Sequence, residues 1–295
     1  MKSLFIKNHC VKYIILILIG VSLTISCQEK KNAYSIQRAD IFAWCIVPFD
    51  SLERSPEERI EMLKRLDINK YAYDWRAKHL PDMAKELRLA KQNGIEVIAV
   101  WMWIDEQWDA VGDLNDSNEK VFEVVEEVGY NGQVWVSFHA NFFNGLSDRE
   151  AVEKGAKMIA YLSEKANALG CKIALYNHGD WFGEPENQIK IIEALPNKDL
   201  GLVYNFHHAH QQIDAFPELV NMMMPHLWYV NLNGLRKEGP KILTIGKGNH
   251  EMEMIDLLIE KGYKGDFGVL GHVEEADVEV ILQANLEGLE GKISE

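Results

Sequence analysis

Residues 168–210 read ALGCKIALYNHGDWFGEPENQIKIIEALPNKDLGLVYNFHHAH and contain one complete repeat of a simple pattern. Gly170 marks the end of a helical-period segment, the usual place for a glycine stop. The run KIALYN that follows from Lys172 is almost continuously apolar, as a strand covered on both faces must be, and it ends on Asn177 and His178. Pro185 opens the next helix, where a missing N–H costs nothing. LGLVYN from Leu200 then repeats the strand and again ends on polar residues, Asn205, His207 and His208.

The same alternation extends in both directions, from residue 41 to residue 288. Strand candidates are IFAWCIV from Ile41, INKYAYDW from Ile68, IEVIAVWMW from Ile95, QVWVSF from Gln133, LWYVNL from Leu227 and DFGVLGH from Asp266, with the two above. Helix candidates begin near Pro56, Pro81, Asn118, Asp148, Pro185, Ile213, His250 and Asp277, several of them at Pro or at Ser, Asp or Asn caps. Eight strand–helix units without a composition break, a Pro/Ser linker or a charge block predict a single (β/α)8 barrel, an α/β fold, over residues 41–295. A doubly wound open sheet is the alternative, but no Gly-rich phosphate loop follows any strand.

Residues 1–27 stand apart from this pattern. Lys2, Lys7 and Lys12 precede an apolar run at residues 13–26, of signal-peptide length and short of the ~20 residues that span a bilayer. The run ends at Ser26-Cys27 and resembles a bacterial lipobox, with Thr24 where a Leu is usual. The expectation is an exported lipoprotein with a lipidated Cys27, at the periplasm or the outer-membrane surface, touching membrane only through that anchor. Residues 28–40 are expected to be a short linker.

Of the 295 residues 47% are hydrophobic and 26% charged, the balance of a globular protein, with a formal charge of −14. Removing the signal leaves 28 basic against 45 acidic residues, a charge of −17. That excludes a nucleic-acid backbone as main partner, since phosphate binding draws on clustered Lys and Arg. A small carbohydrate is the expected ligand. Cys45 and Cys171 sit alone in strand-like segments without CxxC or Cys/His spacing, so neither a disulfide framework nor a zinc knuckle is expected.

Barrels of this kind place their sites at the C-terminal ends of the strands. His79, His139, His178, His207, His208, His210 and His272 fall at or just after such ends, and Trp44, Trp75, Trp101, Trp103 and Trp181 share the same region with Asp74, Arg76, Asn177, Asn205, Asn231 and Asn233. Aromatic faces beside amides that hydrogen-bond hydroxyls suit a sugar. For Trp135 and Trp228, plain core packing is favoured.

On these residues the chain resembles the xylose isomerase-like TIM barrels, the sugar phosphate isomerase/epimerase superfamily that shares its fold with endonuclease IV. The resemblance rests on KIALYNHGDW, GLVYNFHHAH, LWYVNLNG and the closing IGKGNHEMEMIDLLIEKGYKGDFGVLGHVEEADVEV. It also matches a subgroup seen in polysaccharide-using bacteria through YDWR with His79, Asn205 with His208, Asn233-Gly234 and Gly271-His272. The resemblance implies a divalent metal held at the ends of strands five to eight. The matching positions here are Tyr176, Asn205, Asn231 and Leu270, poor ligands for a hard cation, so that metal site is not carried over. No cofactor is expected from the residues; a metal re-sited on His178, His208 and His272 is the alternative.

Isomerisation, epimerisation and elimination from a keto-sugar share one hard step, removal of a proton α to a carbonyl. The expected base is His178 or His208. Arg76, Lys247 or a protonated His272 would face the enolate oxygen. Asp74, Trp75, His79, Trp103, Asn177, Trp181, Asn205 and Asn231 complete the expected substrate contacts. A sugar-binding lipoprotein without turnover is the competing class.

Overall fold

A computed structural model describes residues 36–294; the export signal and the lipidation expected at Cys27 lie outside the described residues. Eight parallel strands, β1 (Ile41–Trp44), β2 (Lys70–Tyr73), β3 (Glu96–Ile104), β4 (Gln133–Phe138), β5 (Lys172–Tyr176), β6 (Leu200–Asn205), β7 (Leu227–Leu232) and β8 (Asp266–Leu270), close in chain order into one barrel. β8 pairs back onto β1, with Ile41 opposite Phe267 and Trp44 opposite Leu270. The helices α1 (Pro56–Arg65), α2 (Leu80–Gln92), α3 (Asp116–Val128), α4 (Asp148–Ala168), α5 (Pro185–Glu193), α6 (Phe216–Met223), α7 (Glu251–Glu260) and α8 (Val278–Leu289) each follow one strand. The expected (β/α)8 architecture is therefore the observed one.

Local chemistry sets the helix starts. α1 and α4 open on reciprocal capping boxes, Ser55 with Glu58 and Ser147 with Glu150. α3 begins at Asp116, two residues before its expected start, because the Asn115 side chain accepts from the Asn118 N–H. α6 begins at Phe216 rather than Ile213, with Pro217 in its first turn; the residues before it form two 3-10 turns, Phe206–His208 and His210–Gln212, which carry three histidines. The stretch expected to be linker contributes to the fold from Ile36 onward, where Ile36–Gln37 pair with Ile293–Ser294 and Ile36 is fully buried.

One apolar zone lies between strands and helices, and a second fills the barrel. Inside, the Trp135 ring packs against Phe42, Trp44 and Tyr229 at centroid separations of 5.8, 5.3 and 5.3 Å. Rings of this size fit because small residues face them. A Cβ on Gly201 would lie 1.9 Å from the Trp228 ring, and one on Gly268 would lie 2.6 Å from Phe42. Trp135 is thus a core residue, as expected, while Trp228 is half-buried and packs against the edge of that core. Gly201→Ala should cost about 1–3 kcal/mol through overpacking against Trp228, read as a lower denaturant midpoint; an unchanged midpoint would contradict this packing.

Candidate active site

The C-terminal ends of the strands enclose a chamber of about 80 Å3, walled by Trp44, Cys45, Phe49, Asp74, Arg76, Trp101, Tyr176, Asn205 and the imidazoles of His178, His207, His208 and His272. Each follows from its place in the fold. Trp44 and Tyr176 are the last residues of β1 and β5, Asn205 ends β6, and Asp74 directly follows β2. Cys45 turns the chain out of β1 with φ +59°, a left-handed conformation that L-residues with a side chain rarely adopt. His207 and His208 sit on the first 3-10 turn after β6, and their rings are 4.5 Å apart. His178 lies 4.4 Å from His208 and edge-on to Trp103 at 4.7 Å, while His272 stacks on Phe49 at 3.5 Å.

Burial dominates the electrostatics. It lowers His178 to about 4, with Lys241 adding to the effect, and His207 to about 3. His272 is lowered to about 4 by burial and the adjacent Arg76, and His208 is lowered well below its ordinary value by burial and then by His178. These imidazoles are neutral at pH 7, so His272 is not the protonated oxyanion partner expected of it. Their conjugate acids are too strong for His178 or His208 to match the general base expected of them. The same desolvation acts in the opposite direction on an acid, and pushes Asp74 up to about 7 against the pull of Arg76.

Asp74 is also structurally poised. It is 2% exposed, its Oδ1 accepts a long 3.4 Å bond from the Val47 N–H, and its Oδ2 is buried with no partner in the protein. An unpaired buried carboxylate oxygen on a chamber wall is a group with a job other than stability. Tyr176 is its counterpart. The phenol oxygen accepts from Trp44 Nε1 at 3.1 Å and from Asn205 Nδ2, which leaves its own proton to be donated into the chamber. Burial raises the Tyr176 pKa well above the ordinary phenol value, so that proton stays in place.

Several expected site residues lie elsewhere or serve the framework. Asn177 clamps β5 to β6, accepting from the Asn205 N–H at 2.6 Å and donating to the Asn205 carbonyl, so both of its polar atoms are used. His79 accepts from the Arg76 N–H and faces the charged cluster of Glu53, Arg54 and Arg59 on the outer side. Trp181 donates to Asp148 and packs on Phe143, away from the chamber. Asn231 is buried beside Gly268 rather than on the chamber wall. Lys247 is exposed in the loop after β7, and Lys241 of that loop is the lysine whose charge reaches the imidazoles. Trp75 and Trp103 line a second, larger cavity that shares Arg76, Trp101 and His178 with the chamber. Sequence reasoning missed Cys45, read as an apolar strand residue, Phe49, in the loop just after the first strand, and Lys241, which sits in the long loop after β7.

The four positions implied to hold a metal, Tyr176, Asn205, Asn231 and Leu270, are here a protonated phenol, two amides and an aliphatic chain, with the phenol and Asn205 bonded to each other. This donor set does not fit a divalent cation. Nor do His178, His208 and His272 form the alternative site: among the described residues no group of three or more His, Cys, Asp or Glu is arranged to hold a metal. The ring contacts run in a chain from His178 through His208 and His207 to His272, with His272 also stacked on Phe49.

A closed parallel barrel with a polar, aromatic-walled chamber at its C-terminal mouth defines the class of fold. The family described as xylose isomerase-like TIM barrel matches residues 50–285, and the chain belongs to it. An uncharacterised protein of Methanocaldococcus jannaschii is 24% identical over 164 residues, 52% of this chain and 53% of that protein, so the chain spans about half the length of this curated relative. The crystal structure of IOLI protein with a zinc atom superimposes with a TM-score of 0.66 at 14% identity, covering 86% of this chain and 99% of that one. Apo 3-keto-D-glucoside 4-epimerase from E. coli gives a TM-score of 0.65 at 16% identity over 85% of this chain and 99% of its own. At these identities the superpositions establish shared fold.

The raised pKa of Asp74 means that the folded chain holds this proton more tightly than the unfolded chain. The associated stability is complete below pH ~4, the unfolded value, and is lost as pH rises through about 7. Asp74→Asn should remove this component, so the melting-temperature difference between variant and parent should change across pH 4–8. A constant difference would contradict the buried carboxyl.

Proposed function

We propose that this chain is a sugar isomerase- or epimerase-type enzyme that moves a proton at the carbon next to the carbonyl of a sugar or keto-sugar. One observation carries the reading: a buried carboxyl pushed up to about 7, with an unpartnered oxygen, shares a chamber with a phenol whose oxygen already accepts two hydrogen bonds. The family and the epimerase among the superimposed structures support the substrate class.

The chemistry follows from the walls. The Asp74 carboxylate takes the α-proton, and the C–H electron pair moves into the enolate. The enolate oxygen is met by the Tyr176 hydroxyl and the Arg76 guanidinium, which stand where the family's Lewis acid would act. The protonated Asp74 returns the proton to the former carbonyl carbon while the hydroxyl proton on the neighbouring carbon passes to the former carbonyl oxygen, giving an isomer; an epimer forms when water on the opposite face of the enolate supplies the proton instead, the hydroxide left behind taking the proton from Asp74. Expulsion of a β-substituent from the same enolate would make the enzyme a lyase. Neutral imidazoles, able to donate through one nitrogen and accept through the other, hold the sugar hydroxyls. The reading of residues 1–27 as an export signal extends the proposal to glycan breakdown outside the cytoplasm. Sugar binding without turnover is the second reading, favoured by the loss of all four expected metal ligands.

Incubation with a panel of ketoses and 3-keto-glycosides in heavy water tests this by NMR. Deuterium should enter at the carbon beside the carbonyl. Asp74→Asn should slow exchange by about 10^2–10^4, and Tyr176→Phe by about 10^2–10^3, while His178→Gln and His208→Gln should act mainly on KM. Binding without exchange across the panel would decide for the second reading.

A further inference from the structure

Beside the chamber lies a groove of about 720 Å3 lined by Trp75, Trp101, Trp103 and Trp108 and by the residues that begin α3. Arg76, Trp101 and His178 line both spaces, so a ligand can occupy them together. The chamber by itself is smaller than one sugar ring, so a reacting ring extends beyond it, and the larger groove has room for a further ring.

Trp108 stands out among these residues. Its side chain is 61% exposed, a large apolar surface left in water. Its backbone is nevertheless fixed. The neighbouring Asp109 is 4% exposed and accepts from the Asp105 and Asn115 backbone N–H groups, each at 2.9 Å, and from the Asn118 side chain at 3.0 Å. The loop between β3 and α3 thus holds an exposed indole on an anchored base, so little ordering entropy remains to be lost on stacking. In the same groove lining, Asn118 is 1% exposed and spends its amide protons on the Trp103 carbonyl and Asp109, but its Oδ1 is buried without any donor. Asp116 and Ser117 beside it add polar groups. Indoles and hydroxyl-binding groups lining one groove fit a pyranose, which has apolar C–H faces and a polar rim. A purely aromatic occupant would leave the Asn118 oxygen unpaired.

We infer that the groove is a second sugar-binding subsite, with the Trp108 indole stacking on a pyranose and Asn118 Oδ1 accepting from one of its hydroxyls, so that the substrate is a disaccharide or longer glycoside whose keto-sugar unit enters the chamber. This deepens the proposed function and rests on it for the identity of the reacting unit. It gives the chain a preference that the chamber alone does not supply.

Calorimetric titration of the full chain with D-fructose and 3-keto-D-glucose, and with glucosyl derivatives of each at every free hydroxyl, tests the inference, alongside deuterium exchange on the same sugars. At least one glucosyl derivative should bind about ten-fold more tightly than its monosaccharide, the equivalent of ~1.4 kcal/mol. Trp108→Ala should bring that ratio close to one, and Trp108→Tyr, which keeps a stacking ring, should restore most of it. Melting curves check that both variants fold. Exchange into monosaccharides with no glucosyl preference, or a preference indifferent to Trp108→Ala, overturns the subsite and leaves the enzymatic reading intact. A Trp108-dependent preference without exchange in any sugar overturns the enzymatic reading and retains the subsite.

Discussion

The rings that fill the barrel set the depth and dryness of its mouth. Trp135, fully buried, holds Phe42, Trp44 and Tyr229 in edge and tilted contacts, and Trp44 and Tyr176 form the next layer up, where they become the chamber wall. With the interior closed below, water reaches the strand ends only from above. The imidazoles and the carboxyl there lose solvation, and the direction of the shift follows from the charge type: His178 and His272 are held neutral and the Asp74 carboxyl is pushed up to about 7. The glycines facing the rings are part of the same device, since a side chain on Gly201 or Gly268 would displace Trp228 or Phe42.

Within the xylose isomerase-like family this chain presents different groups at the strand ends where a divalent metal is implied. A metal site needs several carboxylates or imidazoles pointed at one centre; here the corresponding strand ends supply Tyr176, Asn205, Asn231 and Leu270. The phenol is kept protonated by burial and oriented by two accepted hydrogen bonds, from Trp44 and Asn205. Preorganised donors of this type act in a dry site at little reorganisation cost. The strong negative charge of the sequence plays no part in it. Asp74 is the one carboxylate among the chamber's lining residues, whereas Glu61, Glu127 and Glu164 sit on the outer helices in exposed ion pairs with Lys64, Arg88 and Lys198.

The barrel was legible in the sequence because each strand is a short apolar run and each helix carries its own start or stop signal, as Ser55-Pro56 and Gly170 do. The location of the site was legible for the same reason: strand ends can be counted, and His178, His208, His272, Asp74 and Asn205 do meet there. The division of labour among them was not. Whether an amide points into the chamber or across to the next strand is a matter of side-chain direction, which separates Asn205 from Asn177 although both end strands. A histidine's basicity depends on the solvent excluded by residues far away in the chain, so the ordinary imidazole value favoured His178 or His208 as base, whereas burial lowers both and pushes Asp74 up to about 7. Trp108 lies in a long loop with no periodicity, and only the Asp109 hydrogen bonds fix where it stands.

A carbon-13 NMR titration of the ligand-free protein, with labelled aspartate side chains and histidine rings, tests the central claim most directly. The Asp74 carboxyl, assigned through Asp74→Asn, should titrate near 7, while the rings of His178, His207 and His272 keep the shifts of neutral imidazole down to about pH 5. An Asp74 midpoint near 4 together with imidazoles that protonate between pH 6 and 7 would contradict the account and return the role of base to a histidine.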